Sequence, residues 1–409
     1  MNSERNYPAA VISDKCRKRL SSGHPWIYDN EIVSLDVTPE DGSLVDILTE
    51  KNRFVGTGFY NSASKIRVRI ISRNANDVFD DTFWRRRVKY AYDYRKTVMA
   101  PEELSCCRLI FGEADFFPGL TVDRFSDLLS VQILSLGIEK NKDVILHALL
   151  DVLNEDGQYI NGIFLRNDVK IRTLEGMEEE KGWYWYRGET PPSAMTKITE
   201  NGIIYNVDVE NGQKTGFFLD QKRNRAAAAS IAAGRNVMDC CTHTGSFALN
   251  AAKGGAAHVT AVDVSASAIA NARANAELNG LSDRISFETA DVFEFLQSRI
   301  EAHDRSYDYI ILDPPAFTKS RKTVGNAKNG YLELNTLAMR LLPRGGYLAT
   351  CSCSHFMTEQ LFREMLDNAA HAAGVSLRQI EFRQQCADHP ILSCAEETNY
   401  LKFFLFQIV

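Results

Sequence analysis

The sequence lacks several features that would each point to a definite class of protein. No stretch approaches the roughly 18 apolar residues that a helix needs to span a bilayer, so no membrane partner is expected. No two cysteines have the CxxC spacing of zinc sites, so neither a metal centre nor a disulfide framework is predicted. The GxGxxG fingerprint of dinucleotide-binding domains is also absent. The chain has no internal repeat and no low-complexity tract, and its aromatic content of 10% excludes a mainly disordered protein.

The cysteines indicate a compartment. There are nine, an odd number, and two pairs are adjacent in sequence, at residues 106–107 and 240–241. Unpaired thiols are typical of a reducing environment. The first 18 residues are polar and have no apolar core like that of a secretory signal. We therefore expect a cytoplasmic protein.

The charge is distributed unevenly along the 409 residues. The formal net charge of −6 at pH 7 argues by itself against a nucleic-acid partner. However, residues 1–100 contain 17 Lys and Arg against 13 Asp and Glu, whereas residues 101–200 contain 10 against 18. Basic clusters in the first block lie at residues 15–19 and 85–87. If the partner is an RNA, we expect its phosphates to contact residues 1–100.

Hydrophobic periodicity divides the chain into three segments. Residues 1–73 contain short alternating strands separated by turns, which predict a small β-barrel with one helix. Residues 74–190 mix helical and strand periods and predict a small α+β domain. In residues 191–409 apolar strands alternate with helices, as in a doubly wound parallel sheet. The predicted fold class is therefore α/β, with a Rossmann-like sheet at the C-terminus.

Acidic residues stand at the ends of the predicted strands in the third segment. They are Asp239, Asp263, Asp291 and Asp313. Because ligands of such sheets bind beyond the carboxyl ends of the strands, we expect these carboxylates to share a site. Asp263 follows Asp239 by 24 residues, where a nucleotide-binding βαβ unit has the carboxylate that accepts ribose hydroxyls. Asp291 is expected to accept from an adenine amine. For Asp263 and Asp291 a helix N-cap is the alternative interpretation.

The loop after Asp239 narrows the class of nucleotide. It contains Thr244 and Gly245, and the missing side chain of Gly245 lets backbone approach a ligand closely. One glycine stands where a dinucleotide site has three, so a pyrophosphate has no cradle and NAD and FAD are disfavoured. S-adenosylmethionine (SAM) contains no phosphate and therefore needs no phosphate-binding loop. The third segment resembles the class I SAM-dependent methyltransferases.

Two features indicate different methylation chemistries. The run Asp-Pro-Pro-Ala-Phe at residues 313–317 is similar to the Asp/Asn-Pro-Pro-aromatic motif of enzymes that methylate exocyclic amines, but its aromatic residue comes one position late. Cys351 and Cys353 end the next long strand, where a thiolate can add to carbon-6 of cytosine and make carbon-5 nucleophilic. Period-2 alternation places both cysteines on the same face, so the pattern does not choose between them. Two buried cysteines in an apolar strand are the alternative.

Residues 211–225 carry the most specific resemblance. Their sequence, Asn-Gly-Gln-Lys-Thr-Gly-Phe-Phe-Leu-Asp-Gln-Lys-Arg-Asn-Arg, resembles the signature ahead of the first strand in PUA-containing ribosomal RNA cytosine-C5 methyltransferases. The turn at residues 22–26 and the run at 58–61 resemble the PUA part of that family, and residues 117–124 resemble its central part. The resemblance covers essentially the whole chain in matching order.

The resemblance implies a fold, a cofactor and a substrate. It implies a PUA barrel over residues 1–73, a central α+β domain over 74–190 and a SAM-dependent methyltransferase domain over 191–409. The implied substrate is large-subunit (23S) ribosomal RNA, and the implied product contains 5-methylcytidine. The sequence leaves the oligomeric state open, with a homodimer among the alternatives.

The resemblance also implies roles for single residues. The Ser-Cys-Ser pattern of the family places the nucleophile on Cys353, whereas Cys351 matches the Thr-Cys-Ser of other RNA cytosine methyltransferases. Asp313 would hold the cytosine at N3 and N4. The implied contacts over SAM and the base, together with the strand-end residues, give the expected cofactor-binding set: Phe217, Asp220, Arg223, Asp239, Thr244, Gly245, Asp263, Asp291 and Pro314.

Two further hypotheses stay open. One is a methyltransferase that acts on guanine N2 or adenine N6 through the Asp-Pro-Pro motif. The other is an RNA-binding assembly factor that keeps the fold without activity. The complete set of strand-end acids argues against the second of these.

Overall fold

The computed structural model describes residues 5–317 and 324–409, which divide into two units. The first unit contains the described residues up to Ile198 together with Val207–Leu219 and Ala387–Thr398. The second contains Thr199–Asn206, Asp220–Cys386 and Asn399–Val409. Among the described residues, no helix has both the length and the apolar character needed to cross a bilayer.

The first unit begins with a six-stranded sheet in the order β2-β6-β5-β4-β1-β3. Its helix starts where the Ser13 hydroxyl accepts a hydrogen bond from the backbone N–H of Cys16, and Cys16 and Leu20 turn one face into the core. The predicted small β-fold with one helix is confirmed. Its elements are β1 (Ala9–Ile12), α1 (Asp14–Leu20), β2 (Trp26–Tyr28), β3 (Ile32–Leu35), β4 (Leu44–Thr49), β5 (Phe54–Tyr60) and β6 (Ile66–Ser72).

A second sheet of the first unit has five strands in the order β11-β10-β9-β8-β7. Its core continues into the first sheet, because Phe59 of β5 stacks with the buried Trp84 at 6.1 Å between ring centroids. The elements of this α+β part are α2 (Asp81–Val98), β7 (Cys106–Phe111), β8 (Leu120–Phe125), β9 (Leu128–Ile133), α3 (Leu136–Lys140), α4 (Lys142–Glu155), β10 (Gly162–Asn167) and β11 (Glu180–Tyr186).

A two-stranded sheet and one helix precede the Rossmann-like part. They are β12 (Met195–Glu200), β13 (Ile203–Asp208) and α5 (Lys222–Ser230), none of which the sequence analysis predicts. Arg225 on α5 forms a bidentate ion pair with Glu200, with N–O distances of 2.6 and 2.7 Å and both side chains buried. This pair fixes α5 and therefore the residues just before it.

The second unit is built on a seven-stranded sheet in the order β16-β15-β14-β17-β18-β20-β19. Strand alternation with helices is confirmed, but β20 runs antiparallel to both of its neighbours. A parallel return needs a crossover over the face of the sheet, and no helix longer than one 3₁₀ turn separates β19 from β20 in the described chain. The elements are β14 (Asn236–Cys240), α6 (Ser246–Lys253), β15 (His258–Asp263), α7 (Ala266–Leu278), β16 (Ile285–Thr289), α8 (Val292–Glu301), β17 (Tyr309–Leu312), α9 (Val324–Leu341), β18 (Tyr347–Ser352), α10 (Glu359–Ala373), β19 (Leu377–Arg383) and β20 (Lys402–Ile408).

The register of the sheet brings the strand ends to one edge. Cys240 pairs with Leu312, and Leu312 pairs with Thr350, so β14, β17 and β18 end at about the same level. The residues that follow these strands therefore meet at the carboxyl edge of the sheet.

Candidate active site

Asp239 is the most buried carboxylate at this edge. Its side chain is 0% exposed, and its Oδ2 accepts from the Thr242 hydroxyl at 2.6 Å and from the backbone N–H of Ala248 at 2.9 Å. Oδ1 has no hydrogen-bond partner among the described residues. Burial raises the pKa of Asp239 to about 7, and the nearby charges of Asp313 and Asp263 act in the same direction.

Asp263 is the last residue of β15, and its carboxylate accepts hydrogen bonds from two loops. Its Oδ2 accepts from the backbone N–H of His243 and its Oδ1 from that of Ser265, both at 2.9 Å. The N-cap of α7 is Ser265, whose hydroxyl accepts from Ala268 N–H, so Asp263 itself is not the cap. Each carboxylate oxygen keeps a second lone pair, which leaves Asp263 able to accept from ligand hydroxyls.

Asp291 is a helix N-cap, as the alternative interpretation allowed. Its Oδ1 accepts from the backbone N–H groups of Phe293 at 2.9 Å and Glu294 at 3.2 Å at the start of α8. The residue is exposed, and its Oδ2 accepts no hydrogen bond from the described residues. Capping through one oxygen is compatible with a ligand contact through the other.

The loop after β14 has an unusual backbone. Cys241, His243 and Gly245 have φ angles of +62°, +51° and +79°, in the left-handed region that residues with a side chain rarely adopt. The φ of Gly245 favours glycine, and a Cβ there would also lie 2.6 Å from Leu249 Cδ1, which would have to shift. Thr244 is buried, and its Oγ1 has no partner among the described residues.

Asp313 directly follows β17. Its Oδ1 accepts from Gln221 Nε2 at 3.0 Å. Burial raises the pKa of Asp313 to about 6, and the charge of Asp220 adds to the increase. Asp220 is itself buried and accepts from the Tyr400 hydroxyl at 2.6 Å. The segment before α5 thus brings Asp220 and Gln221 to Asp313, and the sequence analysis missed Gln221.

Three other predicted contacts lie at different places. Pro314 is buried directly after Asp313, and Arg223 is half-buried in the first turn of α5. Phe217 is buried in the first unit, so it is not among the residues that the second unit itself brings together.

The two cysteines have different environments. Cys351 lies inside β18 and is fully buried, and burial together with the charge of Asp313 raises its pKa well above the usual range. Cys353 lies just beyond the last strand residue, Ser352, and is partly exposed. The alternation that the sequence suggested therefore stops before Cys353, and burial separates two thiols that the pattern left equivalent.

Lys402 is a functional candidate that the sequence analysis missed. It pairs with Ser352 across the β18–β20 ladder and is 4% exposed. Its Nζ donates to the carbonyl oxygens of Ser354 at 2.7 Å and Tyr400 at 2.8 Å, and no carboxylate of the described residues lies within 4 Å. Burial lowers the pKa of Lys402 to about 8, whereas negative charge on Cys353 raises it. A single lysine opening the apolar run Lys-Phe-Phe-Leu-Phe was the available signal.

The residues at this edge fit SAM. Asp239 Oδ1 and Thr244 Oγ1 are buried polar atoms without a protein partner among the described residues, as expected where a polar ligand completes a site. Asp263 and Asp291 retain acceptor capacity for ribose hydroxyls and an amine. No group of three or more metal-ligating side chains occurs in the described part of the chain.

Comparisons with known proteins define the class. The chain matches the PUA-like domain family over residues 11–73 and the S-adenosylmethionine-dependent methyltransferase family over residues 177–406. A solved SAM-dependent methyltransferase from Streptococcus mutans has the same fold, with a TM-score of 0.81 at 24% identity over 98% of this chain and 99% of that one. A methyltransferase structure with bound S-adenosylhomocysteine gives a TM-score of 0.82 at the same identity and coverage. The chain is thus a SAM-dependent methyltransferase with a PUA-like domain, which confirms the predicted fold class and cofactor.

Named relatives show to which family of methyltransferases the chain belongs. The chain is 39% identical over 386 residues to ribosomal RNA large subunit methyltransferase I of Aeromonas hydrophila, covering 94% of this chain and 95% of that protein. It is 36% identical to the protein of the same name from Klebsiella pneumoniae, covering 98% and 99%. The chain belongs to the family of these enzymes.

The free energy of unfolding should depend on pH through the buried Asp239. The pKa of Asp239 is higher in the folded than in the unfolded chain, so the folded state binds more protons between about pH 4 and pH 7, and stability falls as the pH rises through this range. Asp239→Asn should therefore reduce the loss of unfolding free energy between pH 5 and pH 8, as measured by urea denaturation at each pH. An unchanged difference between the two pH values would show that Asp239 ionises normally.

Proposed function

We propose that the protein forms 5-methylcytidine in large-subunit (23S) ribosomal RNA through a covalent cysteine adduct. The relatives that share about a third of its sequence are named as methyltransferases of large-subunit ribosomal RNA. The observation that carries the cytosine-C5 assignment is the partly exposed Cys353, set beside the buried Lys402 at the edge of the sheet that holds Asp313. A cytoplasmic location accords with this substrate.

The proposed chemistry starts with the Cys353 thiolate. It forms a bond to carbon-6 of cytosine, and the displaced π electrons make carbon-5 nucleophilic. Bound SAM supplies the electrophilic methyl group that carbon-5 takes up. Loss of the carbon-5 proton to a base then restores the double bond as the Cys353–carbon-6 bond breaks and the thiolate is released.

Asp313 is suited to hold the base during the addition. Thiolate attack at carbon-6 moves negative charge towards N3 of the cytosine. Because the pKa of Asp313 is about 6, a fraction of these carboxyl groups is protonated near neutral pH and can donate to N3. Gln221, which donates to Oδ1, holds the carboxyl group in place.

Lys402 is suited to stabilise the thiolate. Its Nζ donates a hydrogen bond to the carbonyl oxygen of Ser354, the residue after Cys353. The Lys402 ammonium group also interacts electrostatically with the Cys353 side chain. A buried cation next to a thiol favours the thiolate, which is the nucleophilic form. Cys351, by contrast, lies beside a carboxylate and is fully buried. These environments support Cys353 as the nucleophile.

Methylation of an exocyclic amine is less well supported. That chemistry uses an aromatic ring to stack on the base, and Phe317 is the ring of the Asp-Pro-Pro run. The Phe317 ring packs edge-on against Tyr331 at 4.7 Å and lies 6.3 Å from Phe293, so it is already engaged in the core. The ring also comes one position later than the motif requires.

The nucleophile is tested by two matched alanine variants. Cys353→Ala should lower methyl transfer to large-subunit ribosomal RNA by more than about 1,000-fold, because carbon-5 is not activated without the adduct. SAM affinity, measured by calorimetry, should change by less than about twofold, since the acids that hold SAM are untouched. Cys351→Ala should keep most of the activity.

Several results would contradict this assignment. Full activity of Cys353→Ala with loss in Cys351→Ala would move the nucleophile to Cys351, and full activity of both would exclude the adduct. Nucleoside mass spectrometry of the product identifies the base: 5-methylcytidine is expected, and a methylated purine would favour amine methylation.

The role of Lys402 is tested by the reactivity of Cys353. In Lys402→Met, alkylation of Cys353 by iodoacetamide should require a pH about one unit higher than in the wild type, because the stabilising cation is gone. The wild-type and variant rates should converge above about pH 9, where Lys402 itself is neutral. Peptide mass spectrometry resolves Cys353 from the other thiols.

Lys402→Arg is the matched control. It keeps the positive charge and should retain a pH profile close to that of the wild type. Identical profiles for the wild type and Lys402→Met would show that Lys402 only packs against the strand end.

A further inference from the structure

A cavity of about 420 Å³ opens within the first unit, away from the strand-end acids. Its lining combines residues of the first sheet with residues of the α+β part, among them Arg73, Asp77, Arg87 and Phe116. This volume lies in the range of small-ligand sites. Nothing in the chemistry proposed above uses these residues.

Two arginines of the lining lack carboxylate partners. Among the described residues, no carboxylate lies within 4 Å of Arg73 or Arg87; Arg73 donates to the carbonyl of His24 and Arg87 to that of Ile71, each at 2.9 Å. Burial lowers the pKa of the half-buried Arg87, whereas the Arg73 side chain is exposed. A guanidinium group carries five N–H donors, and the described residues accept from one nitrogen of Arg73 and one of Arg87, so both groups keep donors for an anion.

The neighbouring basic residues behave differently. On the same helix, Arg85 pairs with Glu155, and Arg86 pairs with Asp77 at 2.9 Å. Of the basic cluster at residues 85–87, Arg87 is therefore the one with no carboxylate of the described residues within 4 Å, although the charge of Asp77 acts on it from farther away. Asp77 is the acidic residue of the lining, and besides pairing with Arg86 its oxygens accept from Ser72 and Asn74.

An aromatic ring completes the lining. Arg87 lies between two rings, with its guanidinium carbon 5.1 Å from the ring centroids of both Phe83 and Phe116. Phe116 is 40% exposed and has a left-handed φ of +61°. Its left-handed φ belongs to the C-cap of the 3₁₀ turn Gly112–Asp115, which leaves the ring in the lining of the cavity.

We propose that this cavity binds one unpaired nucleotide of the RNA substrate. Its phosphate would lie between Arg73 and Arg87, and its base would stack on Phe116. The guanidinium groups supply charge-assisted donors for phosphate oxygens, and an aromatic face stacks on any base. The identity of the ligand as RNA rests on the proposed function; the preference for an anion rests on the unused donors of the two arginines.

Binding to a single-stranded RNA tests the site. The probe is a fluorescein-labelled 12-nucleotide RNA of mixed sequence, titrated with the whole protein by anisotropy between about 50 and 200 mM KCl. Arg73→Gln/Arg87→Gln should weaken binding by at least about 10-fold and lower the slope of log affinity against log salt by about one. Phe116→Leu should weaken binding of the single strand by about fivefold or more.

The matched control removes two charges from the same helix. Arg85→Gln/Lys89→Gln takes away residues that pair with Glu155 and Asp93, and it should change affinity by less than about threefold. Equal losses in both double variants would reduce the effect to overall charge and overturn the site. Equal binding of a duplex of the same sequence, or no effect of Phe116→Leu, would exclude an unpaired, stacked nucleotide.

The RNA-binding assay tests the cavity independently of the proposed methylation. The binding assay contains no SAM and does not involve Cys353, so an inactive Cys353→Ala protein should bind the RNA like the wild type. If the wild type methylates ribosomal RNA but Arg73→Gln/Arg87→Gln binds and methylates normally, the cavity is wrong and the methylation assignment stands. SAM binding by each variant, measured by calorimetry, verifies that the second unit is folded.

Discussion

The candidate site depends on carboxylates that parallel strands bring together at one edge of a sheet. The level ends of β14, β17 and β18 place Asp313 close enough to Asp239 for its charge to raise the pKa of Asp239. Their burial is costly, and it is offset in part by donors from Thr242, Ala248 and Gln221. The same register puts the end of β18, and with it Cys353, at this edge. The edge that fits SAM and the position of the proposed nucleophile therefore follow from one structural constraint.

Much of this arrangement could be predicted from the sequence, because it depends on local patterns. Apolar runs followed by Asp mark the strand ends: β15 ends at Asp263, and Asp313 directly follows β17. Strand direction is different, since periodicity is the same for a parallel and an antiparallel strand; the reversed β20 was therefore not foreseen. Lys402 was missed for the same reason, as its partner Ser352 is opposite only when β20 runs backwards. The difference between Cys351 and Cys353 depends on where β18 ends, a boundary that alternation does not fix.

The net charge of the chain does not show where an anionic partner can bind. A net charge of −6 gave no reason to expect RNA, and the basic clusters gave only a weak one. Arg85 and Arg86 form ion pairs with Glu155 and Asp77, whereas no carboxylate of the described residues lies within 4 Å of Arg73 or Arg87. What matters for an anionic partner is which cations lack a counter-ion, and that depends on tertiary contacts that a count of residues does not contain.

Covalent trapping tests the cysteine mechanism most directly. In ribosomal RNA transcribed with 5-fluorocytidine in place of cytidine, fluorine at carbon-5 cannot leave as a cation, so the enzyme should remain bound to the methylated base after one turnover in the presence of SAM. Digestion and mass spectrometry of the complex should identify a peptide in which Cys353 is linked to carbon-6 of the methylated fluorocytosine. A link through Cys351, or the absence of any SAM-dependent covalent complex while normal RNA is methylated, would contradict the account.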